Sequence, residues 1–89
     1  MQIHWAGWYR NDSSDKIWGI ITVNDAHFNF WCRRGARMQF KATNDLRYLH
    51  KANKGYKQIT AGQLESIYPG FFEEAENKLI FDLLSGRVK

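Results

Sequence analysis

The stretch FNFWCRRGARMQFK, residues 28–41, sets a tryptophan among cations: Trp31 is followed by Arg33, Arg34, Gly35, Arg37 and Lys41. Arginine and lysine neutralise phosphates and release their counter-ions. A flat indole stacks on a base or packs against a sugar, with about 1–3 kcal/mol per stacked base. Gly35 lets a backbone come close to a bulky partner. Side chains alternate across a strand, so Phe28, Phe30 and Cys32 face one way and His27, Asn29, Trp31 and Arg33 the other. Met38 and Phe40 then share one face, and Arg37, Gln39 and Lys41 the opposite one. The apolar set is the core face, which puts Trp31 outward beside Arg33 and near Arg37, Gln39 and Lys41. A plainer reading stands beside it. An outward tryptophan is often covered by a helix, with arginine stems packed over it as cation–π partners. A single bulge would exchange the two faces.

Catalytic sets are not evident. His4, His27 and His50 are far apart and lack the spacing of metal ligands. Cys32, the one cysteine, is expected to face the core, where a thiol is inert. Glu73, Glu74 and Glu76 read as an acidic helix face, not as a positioned acid–base pair. With no phosphate-binding glycine loop either, no enzyme and no cofactor are expected.

Charge is distributed unevenly. Residues 1–57 hold ten Lys or Arg against four Asp, while residues 58–89 hold three against five acidic residues. A basic body with an acidic tail suits a polyanion, although many soluble domains are mildly basic and bind none. The chain of 89 residues is one domain's worth, with 44% hydrophobic residues that exclude a disordered chain. The lone cysteine excludes an internal disulfide and a Cys-rich zinc module, and a reducing cytoplasm is its expected home. MQIHWAGWYR does not read as a signal peptide. The apolar runs fall short of a membrane span, so no membrane partner is expected.

The elements that must position these residues come in two groups. Residues 2–9, with Ile3, Trp5 and Tyr9 on one face, read as a strand whose alternation Trp8 interrupts. NDSSD at 11–15 is a turn. Residues 16–23 read as a strand covered on both faces, Asn24 to Ala26 as a turn, 27–34 and 37–42 as a hairpin about Gly35. Thr43, Asn44 and Asp45 offer caps for a helix of about three turns, with Leu46, Leu49 and Ala52 aligned and Gly55 as its stop. A short strand at 57–60 follows. Thr60 and Gln63 have capping-box spacing for a short helix through Tyr68. After Pro69-Gly70 comes a final helix at 71–84, with Phe72, Ala75, Leu79 and Leu83 aligned, a Glu74–Lys78 pair outside and Gly86 as its end. The expected fold is α+β: an antiparallel meander of four to five strands packed with one central helix and a C-terminal helix.

Trp31-Cys32-Arg33-Arg34-Gly35 resembles the Trp-Gly-Arg run that names the WGR domain. Lys16-Ile17-Trp18 is similar to the strand that often opens that family, and Lys51-Ala52-Asn53-Lys54-Gly55-Tyr56 to a segment that follows its helix. The likeness covers about residues 15–60. It departs at Cys32, where the family has Gly, and at Arg34, where it has a hydrophobic residue. The resemblance implies a small antiparallel sheet with a helix, of the kind found in poly(ADP-ribose) polymerases, where it helps bind DNA breaks, and in small bacterial proteins. By position, Trp31 would pack on a nucleotide and Arg33 would contact backbone. No ADP-ribosyl transfer is implied.

The expected function is therefore a single-domain, non-catalytic nucleic-acid-binding module, for duplex DNA or its ends sooner than RNA. Trp31 stacks, Arg33, Arg34, Arg37 and Lys41 meet phosphate, Gly35 gives close approach, and Lys51, Lys54 and Lys57 add a second basic stripe. The alternative is an interaction module, an accessory or inhibitor of a bacterial or phage machine, whose Trp/Arg patch meets an acidic protein. Residues 61–89 form an extension whose final helix covers the sheet, pairs with a second copy or docks on a partner.

Overall fold

The computed structural model describes residues 2–10 and 15–84, with side chains as far as Lys78. Five strands form one antiparallel sheet: β1 (Gln2–Arg10), β2 (Asp15–Val23), β3 (Ala26–Arg33), β4 (Gln39–Ala42) and β5 (Lys57–Gln58). Their spatial order is β4-β3-β2-β1-β5. Three helices, α1 (Leu49–Asn53), α2 (Ala61–Ile67) and α3 (Phe71–Leu84), complete the α+β fold. Of the turn expected at 11–15, Asp15 opens β2 and residues 11–14 lie outside the described residues, as does the stop at Gly86.

The β2–β3 hairpin is closed by Asn24 and Asp25, both with left-handed backbones (φ 48° and 66°). Such a two-residue loop matches the twist of the paired strands, and short polar side chains tolerate it best. Across the hairpin Ile17, Gly19, Ile21 and Val23 oppose Cys32, Phe30, Phe28 and Ala26, and directly opposed residues share a face. That face is the core. Leu64 of α2 and Phe71 and Ala75 of α3 close over it, with Phe71 4.8 Å from the Phe30 ring and 6.0 Å from Phe40.

Strand β1 departs from simple alternation. Ile3 opposes Ile21 but Trp5 opposes Ile20, so His4 is an extra residue in a β-bulge. The bulge exchanges faces. Ile3, Ala6 and Trp8 lie on the core side, while Trp5, Gly7 and Tyr9 lie on the other. The interruption at Trp8 thus marks a changed register, and the expectation that Ile3, Trp5 and Tyr9 share a face is corrected.

Because β4 and β5 occupy opposite edges, residues 43–56 must cross the sheet, and they cross the face away from α2 and α3. Tyr48 stacks on Trp5 at 5.2 Å with ring planes 8° apart, and His50 meets the Trp18 ring edge-on at 5.5 Å. Ile20 is fully buried beneath this cover. Strand β2 is covered on both faces, as its β-branched run implies.

The helix expected from Leu46 is shorter than its pattern. Asp45 does not cap it. The Asp45 carboxylate accepts from the Arg47 backbone N–H at 2.9 Å and from the Arg47 guanidinium at 2.9 and 3.0 Å, while Thr43 Oγ1 accepts from Asp45 N–H at 3.0 Å. These local bonds hold 43–47 in a turn, the usual competition between short polar side chains and helix. Helix α1 starts at Leu49, buries none of its residues, and leaves Leu46 and Leu49 exposed.

Helix α2 begins at the expected capping box, with Thr60 Oγ1 accepting from Gln63 N–H and Gln63 Oε1 from Thr60 N–H. Gly70, at φ +83°, turns the chain into α3. In α3, Phe71 and Ala75 are fully buried and Phe72 packs against the core. The side chains of Leu79 and Leu83 lie outside the described residues. Glu74 is engaged not with Lys78 but with Tyr68, whose hydroxyl donates to it at 2.7 Å and accepts from Met38 N–H at 3.1 Å.

Candidate functional site

Strand β3 carries no bulge, so parity alone sets Trp31 on the face opposite Phe30 and Cys32. It opposes Trp18 on β2 and Gln39 on β4. Trp31 is 38% exposed, and α3 lies on the other side of the sheet. The other three tryptophans have ring partners within the chain. Trp5 stacks on Tyr48, Trp8 lies under the Arg10 guanidinium at 5.4 Å, and Trp18 meets His50 and the Lys51 ammonium. Among the described residues the Trp31 ring has no aromatic or cation–π partner.

The cations around it are ordered by register. Arg33 is directly opposite Lys16, and Lys41 is opposite Asn29. Like charges opposed across a ladder disfavour the pair, yet neither Arg33 nor Lys16 forms an ion pair among the described residues. Lys51 comes in from the crossing segment. Its ammonium lies 5.4 Å from the Trp18 ring centre and 5.3 Å from that of Tyr56. Burial lowers its pKa from the ordinary lysine value, and the nearby charges of Lys54 and Lys16 lower it further. Lys16 thus stands opposite Arg33 and also adds its charge to the field at Lys51. The sequence placed Lys16 in the Lys16-Ile17-Trp18 stretch but not among the candidate site residues. Its signal was the lysine opening the strand before Trp18, but its place opposite Arg33 depends on register.

Three of the sequence-derived site residues are placed elsewhere. Arg34 turns to Asp15, with its N–H on the Asp15 carbonyl at 2.9 Å and its guanidinium 3.4 Å from the carboxylate. Arg37 precedes β4, so strand parity does not govern it. It points to α3, where its Nε is 3.9 Å from Glu74, and does not share the Gln39 and Lys41 face. Lys57 opposes Trp8 and so belongs to the core-side face, not to that of Lys51. Gly35 sits at the hairpin tip with φ +83° and open space where a Cβ would be.

Among the described residues the exposed large hydrophobics, Trp31, Leu46, Tyr48 and Leu49, all belong to this outer face or the segment crossing it. The crossing segment also carries Arg47, which holds the Asp45 carboxyl at about 2, below the usual carboxylate value, through its hydrogen bonds. His4 and His27 approach at 5.5 Å, with His27 Nδ1 2.8 Å from Thr22 Oγ1. Among the described residues no group of three or more His, Cys, Asp or Glu is placed to hold a metal ion, and no helix is long and apolar enough to cross a membrane.

Cys32 is buried in the core opposite Ile17. Burial, reinforced by the charge of Glu74, pushes its thiol from 9.0 up to about 11. The folded protein is therefore expected to resist alkylation by iodoacetamide at pH 8 and to react at once in urea; equal rates in both states would show an accessible thiol. Below pH 9 both states hold the proton, and as pH rises from 9 towards 11 the unfolded state loses it first, so stability falls over that window.

No family model, no curated protein and no solved structure matches the chain. Its geometry is what a functional reading has to rest on.

Proposed function

We propose that the chain is a non-catalytic nucleic-acid-binding module of the WGR type, acting on DNA sooner than RNA and on duplex DNA or its ends. The observation that carries this reading is Trp31. It is the one described tryptophan whose ring no internal partner claims, and Arg33, Lys16 and Lys41 around it have no counter-ion among the described residues. In this reading Trp31 stacks on a nucleotide and those three cations neutralise phosphates. Lys51 and Lys54 extend the field. Arg34 and Arg37 contribute from the hairpin, tempered by Asp15 and Glu74. Contacts of this kind hold the polymer with little sequence preference. A buried free thiol fits a reducing, cytoplasmic setting.

A second reading, docking of an acidic protein on the same Trp/Arg patch, draws in addition on the exposed Leu46, Tyr48 and Leu49. Exposed leucines gain nothing from base stacking, whereas a contiguous exposed apolar patch marks a protein contact. Salt separates the two. A complex built on Arg33, Lys16 and Lys41 is expected to lose affinity log-linearly with salt, with a slope of about −3 for three neutralised phosphates. A buried apolar contact falls less.

The test is a fluorescence-anisotropy titration of labelled DNA, duplex with and without a 5′-phosphate and single-stranded, over a series of salt concentrations. The Trp31→Ala/Arg33→Ala double variant, shown folded by circular dichroism, is expected to bind about 10- to 100-fold more weakly, the worth of one stacked base and one phosphate contact. Absence of binding to every DNA at low salt would overturn the reading in favour of protein docking.

A further inference from the structure

We infer that the Trp31 face takes a single nucleic-acid strand, as a tail or an unpaired end, and not the side of a duplex. This rests on the nucleic-acid reading above and narrows its ligand from duplex DNA or its ends to the unpaired strand. Three features of the face lead to it.

The first is width. The segment crossing from β4 to β5 covers the β1 and β2 half of the face, where Trp5 and Ile20 are buried. The half left open is β3 and β4. Two strands make a strip about 10 Å across, bounded on one side by the crossing segment and its Tyr48 and His50 contacts. A strip so narrow holds one row of nucleotides, whereas a duplex laid on it would meet the wall.

The second is what an indole can use. Bases inside a duplex show only their edges in the grooves, because their faces are already stacked. The Trp31 ring has a face to offer, and only an unstacked base can meet it.

The third is the order of side chains along the strip. Successive outward residues on β3 are about 7 Å apart. Asn29 with Lys41 opposite comes first, then Trp31 with Gln39 opposite, then Arg33 with Lys16 opposite. Cations thus stand at both ends and an indole with an amide stands between them. A strand running along β3 with one base on Trp31 would have a phosphate near Lys41 on one side and another near Arg33 and Lys16 on the other. The Gln39 amide would lie beside the edge of that base, where it can donate and accept.

The experiment compares fluorescein-labelled oligothymidylate with a duplex of equal length whose ends are closed by hairpin loops, over the same series of salt concentrations for both. The single strand is expected to bind about tenfold tighter or more, within the worth of one stacked base. Trp31→Phe is expected to keep most of that preference, and Trp31→Ala to lose it while remaining folded by circular dichroism. Lys41→Gln and Lys16→Gln are each expected to reduce the salt slope by about one. A closed duplex that binds as tightly as the single strand, or a preference unchanged in Trp31→Ala, would overturn the inference while leaving nucleic-acid binding in place. If neither DNA binds at low salt, the underlying reading fails with it.

Discussion

Replacing Phe71 by alanine is expected to remove about 3–5 kcal/mol of folding stability. Phe71 is fully buried, and its ring touches those of Phe30 at 4.8 Å, Phe72 at 5.2 Å, Phe40 at 6.0 Å and Tyr68 at 6.4 Å. It is the side chain through which α3 grips the β3–β4 hairpin. A chain of this size has little stability to spare, so the loss would bring it close to unfolding at room temperature. Urea titration followed by tryptophan fluorescence measures it. Phe71→Leu should recover most of the loss, because the volume is largely restored. The consequence reaches the far side of the sheet. Phe30 and Phe40 flank Trp31 and Gln39 in sequence, so a hairpin loosened on its core face would no longer hold the outward residues in register. A Phe71→Ala protein as stable as the parent would mean that α3 does not anchor this hairpin.

Gly19→Ala is the second large effect, and its sign opposes intrinsic preference. Glycine within a strand is unfavourable relative to alanine, so propensity predicts a gain. The structure predicts a loss of about 3 kcal/mol, at the upper end for overpacking. A Cβ on Gly19 would stand 2.3 Å from Phe30 Cζ and 2.6 Å from the Trp5 carbonyl oxygen. Neither neighbour yields easily, since Phe30 is pinned by Phe71 and the carbonyl belongs to the adjoining strand. Combining Gly19→Ala with Phe30→Leu should cost less than the sum of the single changes, as the ring contact is relieved while the carbonyl contact remains. Strict additivity in urea denaturation would show that the close approach is not what requires glycine.

These two positions also show where local pattern stops being informative. The alternation of β3 was legible because the strand is continuous and each apolar residue reports its own face, while the unbroken apolar run of β2 told only that both of its faces are covered. From it came Cys32 inward and Trp31 outward, and the α+β class followed from the change of period after residue 42. The capping box at Thr60 and Gln63 was equally readable, since its partners are three residues apart. The bulge at His4 was not. It is a property of the pairing between β1 and β2, and in one strand it leaves only a broken alternation at Trp8. The helix expected from Leu46 failed for a related reason. Its apolar spacing was present, but Asp45 and Thr43 spent their side chains on Arg47 and on the local turn.

Sequence alone sufficed to say which segments form strands, which side of β3 is apolar, and that a tryptophan stands outward beside arginine. Those properties are set by the chemistry of near neighbours and by a period of two. It took the folded chain to set Lys16 opposite Arg33, to turn Arg37 towards Glu74 and to put Lys57 on the core-side face. The fold also decided that Trp5 and Ile20 are covered while Trp31 is left open. The physical reason is that register and cover are chosen by burial summed over the whole chain. With β4 and β5 at opposite edges, one segment has to cross the sheet, and the half it covers fixes the half that remains for a partner.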